Sequence, residues 1–79
     1  MNKHYLFRKA SVIHAIKCYK TIDFDVAIQS FETLLGFKNR IQTATDLTEL
    51  THLNEELDAW AAQQPIATKE EINQLMQKK

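Results

Sequence analysis

Apolar residues recur along the chain at helical spacing in four stretches. The first covers about residues 4–21. Tyr5, Val12, Ile16 and Tyr19 share one side, with Leu6 and Ile13 beside them. The stripe is untidy: Lys9 and Lys20 fall inside its arc, while Phe7 and Cys18 lie on another side. Lysine stems lie along apolar surface with the ammonium in water, so such a face is tolerable. Tyr, Phe, Val and Ile also favour strands, but alternation over residues 4–16 is poor, and a helix is expected there.

The second stretch, about 24–35, is the cleanest. Phe24, Ala27, Ile28, Phe31, Leu34 and Leu35 fall within an arc of roughly 120° at 100° per residue. Asp23 is a good N-cap and Asp25 places a second carboxylate at the positive end of the helix dipole. Gly36 follows the last periodic residue, where a left-handed terminus favours glycine. Residues 37–43 then read as the longest connection, with Phe37 and Ile41 tucked beneath it.

A third helix is expected over about 44–63, capped by Thr43 or Thr45. Leu47, Leu50, Leu53, Leu57, Trp60 and Ala61 share its apolar face, and Pro65 ends it. The fourth covers about 69–78. Thr68 and Glu71 have the spacing of a capping box, in which hydroxyl and carboxylate each satisfy a free N–H; Lys78 and Lys79 suit the negative end of the dipole. The pattern therefore predicts an all-α fold, a small compact bundle of about four helices, as a single helical domain over residues 1–79. The expected core is Leu6, Ile13, Ile16, Phe24, Ile28, Phe31, Leu34, Leu47, Leu50, Leu57, Trp60 and Ile72, and Leu50→Asp is expected to unfold it.

Composition narrows the function classes. With 79 residues, the core is small and stability marginal, so association with a partner or a second copy is in play. One glycine excludes a glycine-rich phosphate loop, and one cysteine excludes a disulfide framework or a multi-cysteine zinc site. No apolar run approaches a membrane span, and Tyr5-Leu6-Phe7 is cut off by Arg8 and Lys9, short of a secretory core. Residues 1–22 are basic and free of acids, a composition shared with mitochondrial presequences, but a cytoplasmic location is the default expectation.

Net charge is zero but segregated. Residues 1–40 hold seven Lys/Arg and three Asp/Glu, a net +4, and residues 41–79 hold three and seven, a net −4. Either the two halves neutralise each other inside the fold, or the basic half meets phosphate or an acidic partner. Candidate chemistry is thin. His14 and Cys18 are one turn apart but lack further ligands, and Ser11 with His14 lacks an oxyanion site. Glu49, with His52 three residues on, is a single copy of a di-metal motif that needs two; Glu49, Glu55, Glu56 and Asp58 read as a solvated acidic surface. No catalytic, cofactor or metal site is expected.

The reading that follows is a small regulatory or inhibitory protein acting through protein–protein contacts, with another protein or a second copy as partner. Phe7, Arg8, Phe37, Lys38, Arg40 and Trp60 are its candidate contact residues, since aromatics and arginine concentrate at interface centres. The alternative is a DNA-binding regulator using the basic N-terminal half and the 37–43 loop, although the helix after that loop is acidic where a recognition helix is basic or polar. The series Leu47, Leu50, Asn54, Leu57 and Ala61 also fits a short coiled-coil seam, with Asn54 as its polar register residue, but is too short to define one.

Overall fold

The computed structural model describes residues 2–21, 23–63 and 68–77. These form four helices and no strand: α1 (Lys3–Lys20), α2 (Phe24–Thr43), α3 (Leu47–Ala61) and α4 (Lys69–Gln77). The all-α bundle expected from the sequence is the fold. α1 is its hub, packing against each of the other three, and α2 also meets α3.

Local chemistry sets most of the helix ends. Asn2 caps α1, accepting the Tyr5 N–H at 2.8 Å, and Asp23 caps α2, accepting from Asp25 at 2.9 Å. The cap of α3 is Asp46, not the expected Thr43 or Thr45. Its carboxylate accepts the Glu49 N–H at 2.8 Å, while Glu49 reaches back to the Thr45 N–H at 3.0 Å. Asp46 and Glu49 thus make a reciprocal pair that ties down two free donors, which a lone threonine cannot do. The capping box of α4 is present: Thr68 Oγ1 accepts the Glu71 N–H at 3.1 Å and Glu71 accepts the Thr68 N–H at 3.2 Å. Pro65, the connection around it, Lys78 and Lys79 lie outside the described residues.

The largest departure is at Gly36. The helix does not end there: α2 runs on to Thr43, and the segment expected as a connection is its C-terminal portion. Gly36 has ordinary helical geometry on the exposed side, not the left-handed conformation of a helix terminus. The energetic balance explains it. Glycine in a helix interior costs about 1 kcal/mol relative to alanine. Continuing the helix buries Phe37 and Ile41, each worth roughly 1.5–3 kcal/mol. Burial wins.

The extension also changes which side of α2 faces inward. Its core stripe is Ser30, Leu34, Phe37 and Ile41, spaced i, i+4, i+7, i+11. These pack with Leu6, Ala10, Ile13 and Ile16 of α1, Leu53, Leu57, Trp60 and Ala61 of α3, Ala44, and Ile72 of α4. Phe37 and Trp60 stack at a ring separation of 5.3 Å. Four expected core residues are therefore outside: Phe24, Ile28 and Phe31 on α2, and Leu47 at the start of α3. Leu50 is half-buried against the cluster, not within it.

The core face of α1 carries two lysines, and both stems are buried. Lys9 Nζ lies 2.7 Å from Asn54 Oδ1 and 2.7 Å from Asp58. Lys17 Nζ donates to the Gln63 carbonyl at 3.1 Å and sits 5.7 Å from the Trp60 ring centre. Burial holds the Lys17 ammonium below its ordinary pKa. Asn54 is thus the internal partner of Lys9, and the Leu57–Ala61 part of the α3 seam is intrachain core.

Candidate functional site

α2 carries a second apolar stripe. Phe24, Ile28, Phe31 and Leu35 follow one another at i, i+4, i+7, i+11, roughly 120° round the helix from the core stripe. They are 76%, 41%, 49% and 49% exposed. The stripe is about 17 Å long at 1.5 Å per residue. Asp25 and Glu32 line its outer edge, both exposed.

The other edge is α1. Phe7, Ser11, His14 and Cys18 recur at the same spacing there and are half-buried. The His14 ring packs 5.7 Å from that of Phe31, and Nδ1 lies 2.8 Å from the buried Ser30 Oγ. Cys18 Sγ is 3.6 Å from His14 Nε2. Burial, and secondarily the Lys38 ammonium, hold the His14 imidazole below its usual pKa. The hydroxyl bonded to His14 is thus that of Ser30 on α2, and it fixes the ring at the seam of the two helices. Among the described residues no three His, Cys, Asp or Glu side chains come together as metal ligands.

Of the six residues expected at a contact surface, three come together: Phe37 stacks on Trp60, and the Arg40 guanidinium lies 5.9 Å from the Phe37 ring centre. Phe37 and Trp60 are buried against each other, so neither is exposed to a partner. Their burial follows from the continuation of α2 through Gly36. Phe7 is half-buried against the core, and Arg8 is exposed on α1. Lys38 is half-buried. Arg40 makes a bidentate pair with Glu56, Nη1 to Oε1 at 2.9 Å and Nη2 to Oε2 at 2.5 Å. That bond raises the Arg40 pKa and lowers that of Glu56. The segment expected to reach DNA as a loop is helical, with Phe37 and Ile41 inside.

Part of the charge segregation is neutralised within the fold. Lys9 with Asp58, Lys20 with Glu71 at 2.6 Å, and Arg40 with Glu56 each join a base of residues 1–40 to an acid of residues 41–79. Glu49, Glu56 and Asp58, read as a solvated acidic surface, are a cap and two ion-pair partners.

The stripe of α2 does not read as a surface in the sequence, because periodicity places three of its four residues, Phe24, Ile28 and Phe31, in the expected core. The signal that separates the two lies beyond Gly36: Leu34, Phe37 and Ile41 continue a helical period that Phe24, Ile28, Phe31 and Leu35 do not share. No helix of the described residues is long and apolar enough to cross a membrane. Comparison with protein-family models, curated proteins and solved structures finds no match. The class is therefore defined by the molecule alone: a four-helix bundle in which, among the described residues, α2 leaves an apolar stripe exposed.

Proposed function

We propose that the chain is a protein-interaction module, a small regulatory or inhibitory protein acting through protein–protein contacts without catalysis. The observation that supports this reading is the stripe of Phe24, Ile28, Phe31 and Leu35. Scattered exposed apolar residues are normal, but four in register on one helix form a contiguous patch of the kind that marks an interaction site. A cytoplasmic location is part of the proposal.

The test is capture of binding partners on the tagged chain from host lysate, with and without nuclease, beside a Phe31→Asp variant checked for helicity. One protein at near-equal stoichiometry, retained after nuclease and lost with Phe31→Asp, supports the reading. Absence of any such protein, together with a chain that does not self-associate, overturns it. Recovery that vanishes with nuclease moves the chain to the nucleic-acid alternative.

A further inference from the structure

Resting on the reading of the chain as an interaction module, we infer that the α2 stripe is covered by the same stripe of a second copy, with the two α2 helices packed antiparallel. Three observations carry this.

The first is area. With aromatic residues exposing roughly 200 Å² when free, the four side chains leave on the order of 400 Å² open at the fractions given above. Two stripes face to face cover on the order of 800 Å² of apolar surface, and flanking Ala27 and Lys38 bring the total to about the 1,000 Å² that a specific interface needs.

The second is shape. The spacing of 4, 3 and 4 residues is the one at which side chains of one helix enter the gaps of another. A two-fold axis between Ile28 and Phe31 sets Phe24 opposite Leu35 of the second copy and Ile28 opposite its Phe31. Every aromatic then meets an aliphatic, and the 4-3-4 spacing reads the same in both directions. A parallel arrangement would set phenylalanine against phenylalanine and leave the smaller pairs apart.

The third is access. The stripe is exposed along its length and lies roughly 120° round α2 from the face packed on α1 and α3, so it is open to a second chain.

The arrangement has a distinctive electrostatic consequence. In an antiparallel two-fold pair the same edge of each helix meets. Asp25 of one copy therefore comes alongside Glu32 of the other, twice. These carboxylates are exposed, so their repulsion is weak against the apolar burial. Reversing one of the two charges converts both contacts to attraction. A different partner helix, carrying bases against this acidic edge, predicts the opposite response.

The experiment is sedimentation equilibrium of the full chain over a concentration series, with far-UV circular dichroism on every variant. Wild type is expected to be a dimer at high concentration. Phe31→Asp and Phe24→Asp are each expected to raise the dissociation constant at least about tenfold. Phe24 stands mostly in water at the first position of α2, where an acid is favourable, so that variant keeps its fold. Glu32→Lys is expected to tighten the dimer roughly three- to tenfold. A monomeric wild type, a dimer indifferent to both Asp variants, or a dimer weakened by Glu32→Lys overturns the inference. If the chain is monomeric yet still captures another protein in a Phe31-dependent way, the inference falls and the interaction-module reading stands.

Discussion

Replacing Gly36 by alanine is expected to stabilise the protein, and the sign of the effect is decided by where the helix ends. At a left-handed helix terminus a Cβ is strained, and alanine costs on the order of 1 kcal/mol. In a helix interior the same substitution removes backbone freedom from the unfolded chain and gains about 0.5–1 kcal/mol, provided the new methyl has room. Gly36 is in the interior of α2, on the exposed side, and a Cβ built there meets nothing within 4 Å. No packing penalty therefore offsets the gain. For a domain of this size 1 kcal/mol shifts the melting temperature by about 4–8 °C, so Gly36→Ala is expected to melt about 2–8 °C higher. The assay is thermal unfolding followed at 222 nm, with both proteins at one concentration, because self-association makes melting concentration-dependent. A melting temperature lowered by several degrees would refute the continuous α2, and with it the account of why Phe37 and Ile41 are buried.

Three further outcomes check other parts of the fold. Leu57 has no exposed surface, so Leu57→Ala is expected to cost about 2–5 kcal/mol in chemical denaturation, whereas Leu47→Ala, 63% exposed, should stay within about 0.5 kcal/mol; comparable losses would show that α3 presents its other face. Thr68→Ala removes the cap of α4 and is expected to cost about 1 kcal/mol, visible as faster hydrogen exchange confined to α4 amides. For His14, burial first and Lys38 second lower the folded pKa below the ordinary 6.5, so the unfolded chain takes up the proton first as pH falls. Stability is then full above about pH 6.5 and declines as pH drops through the folded value; a His14→Gln variant should show a flatter profile between about pH 7.5 and pH 5.5, and an unchanged slope refutes the assignment.

Helix number and type are readable from periodicity because each helix carries an apolar run that some element must cover. The caps at Asp23 and Thr68 are readable for a similar reason: their chemistry acts within one turn. The packed stem of Lys9 inside the apolar arc of α1 is also anticipated, but its ammonium, expected in water, is held by Asn54 and Asp58. What local pattern leaves undecided is competition between long-range alternatives. Glycine at 36 is a stop signal by its own preference, and the burial of Phe37 beside Trp60 and of Ile41 overrides it.

The candidate surface depends on that same competition. Phe24, Ile28, Phe31 and Leu35 have the periodicity of a core face, and for a helix ending at 35 they would be one. Once α2 continues, two stripes compete for the single inward side. The longer helix places Leu34, Phe37 and Ile41 against α1 and α3, with Ser30 satisfied by His14. Burying both stripes at once would need a further element against the second, since they diverge by roughly 120° on one cylinder. The exposed stripe is therefore not a residue of poor packing. It is the surface left over when the better-connected face has been chosen, and its regular spacing is what a second helix requires.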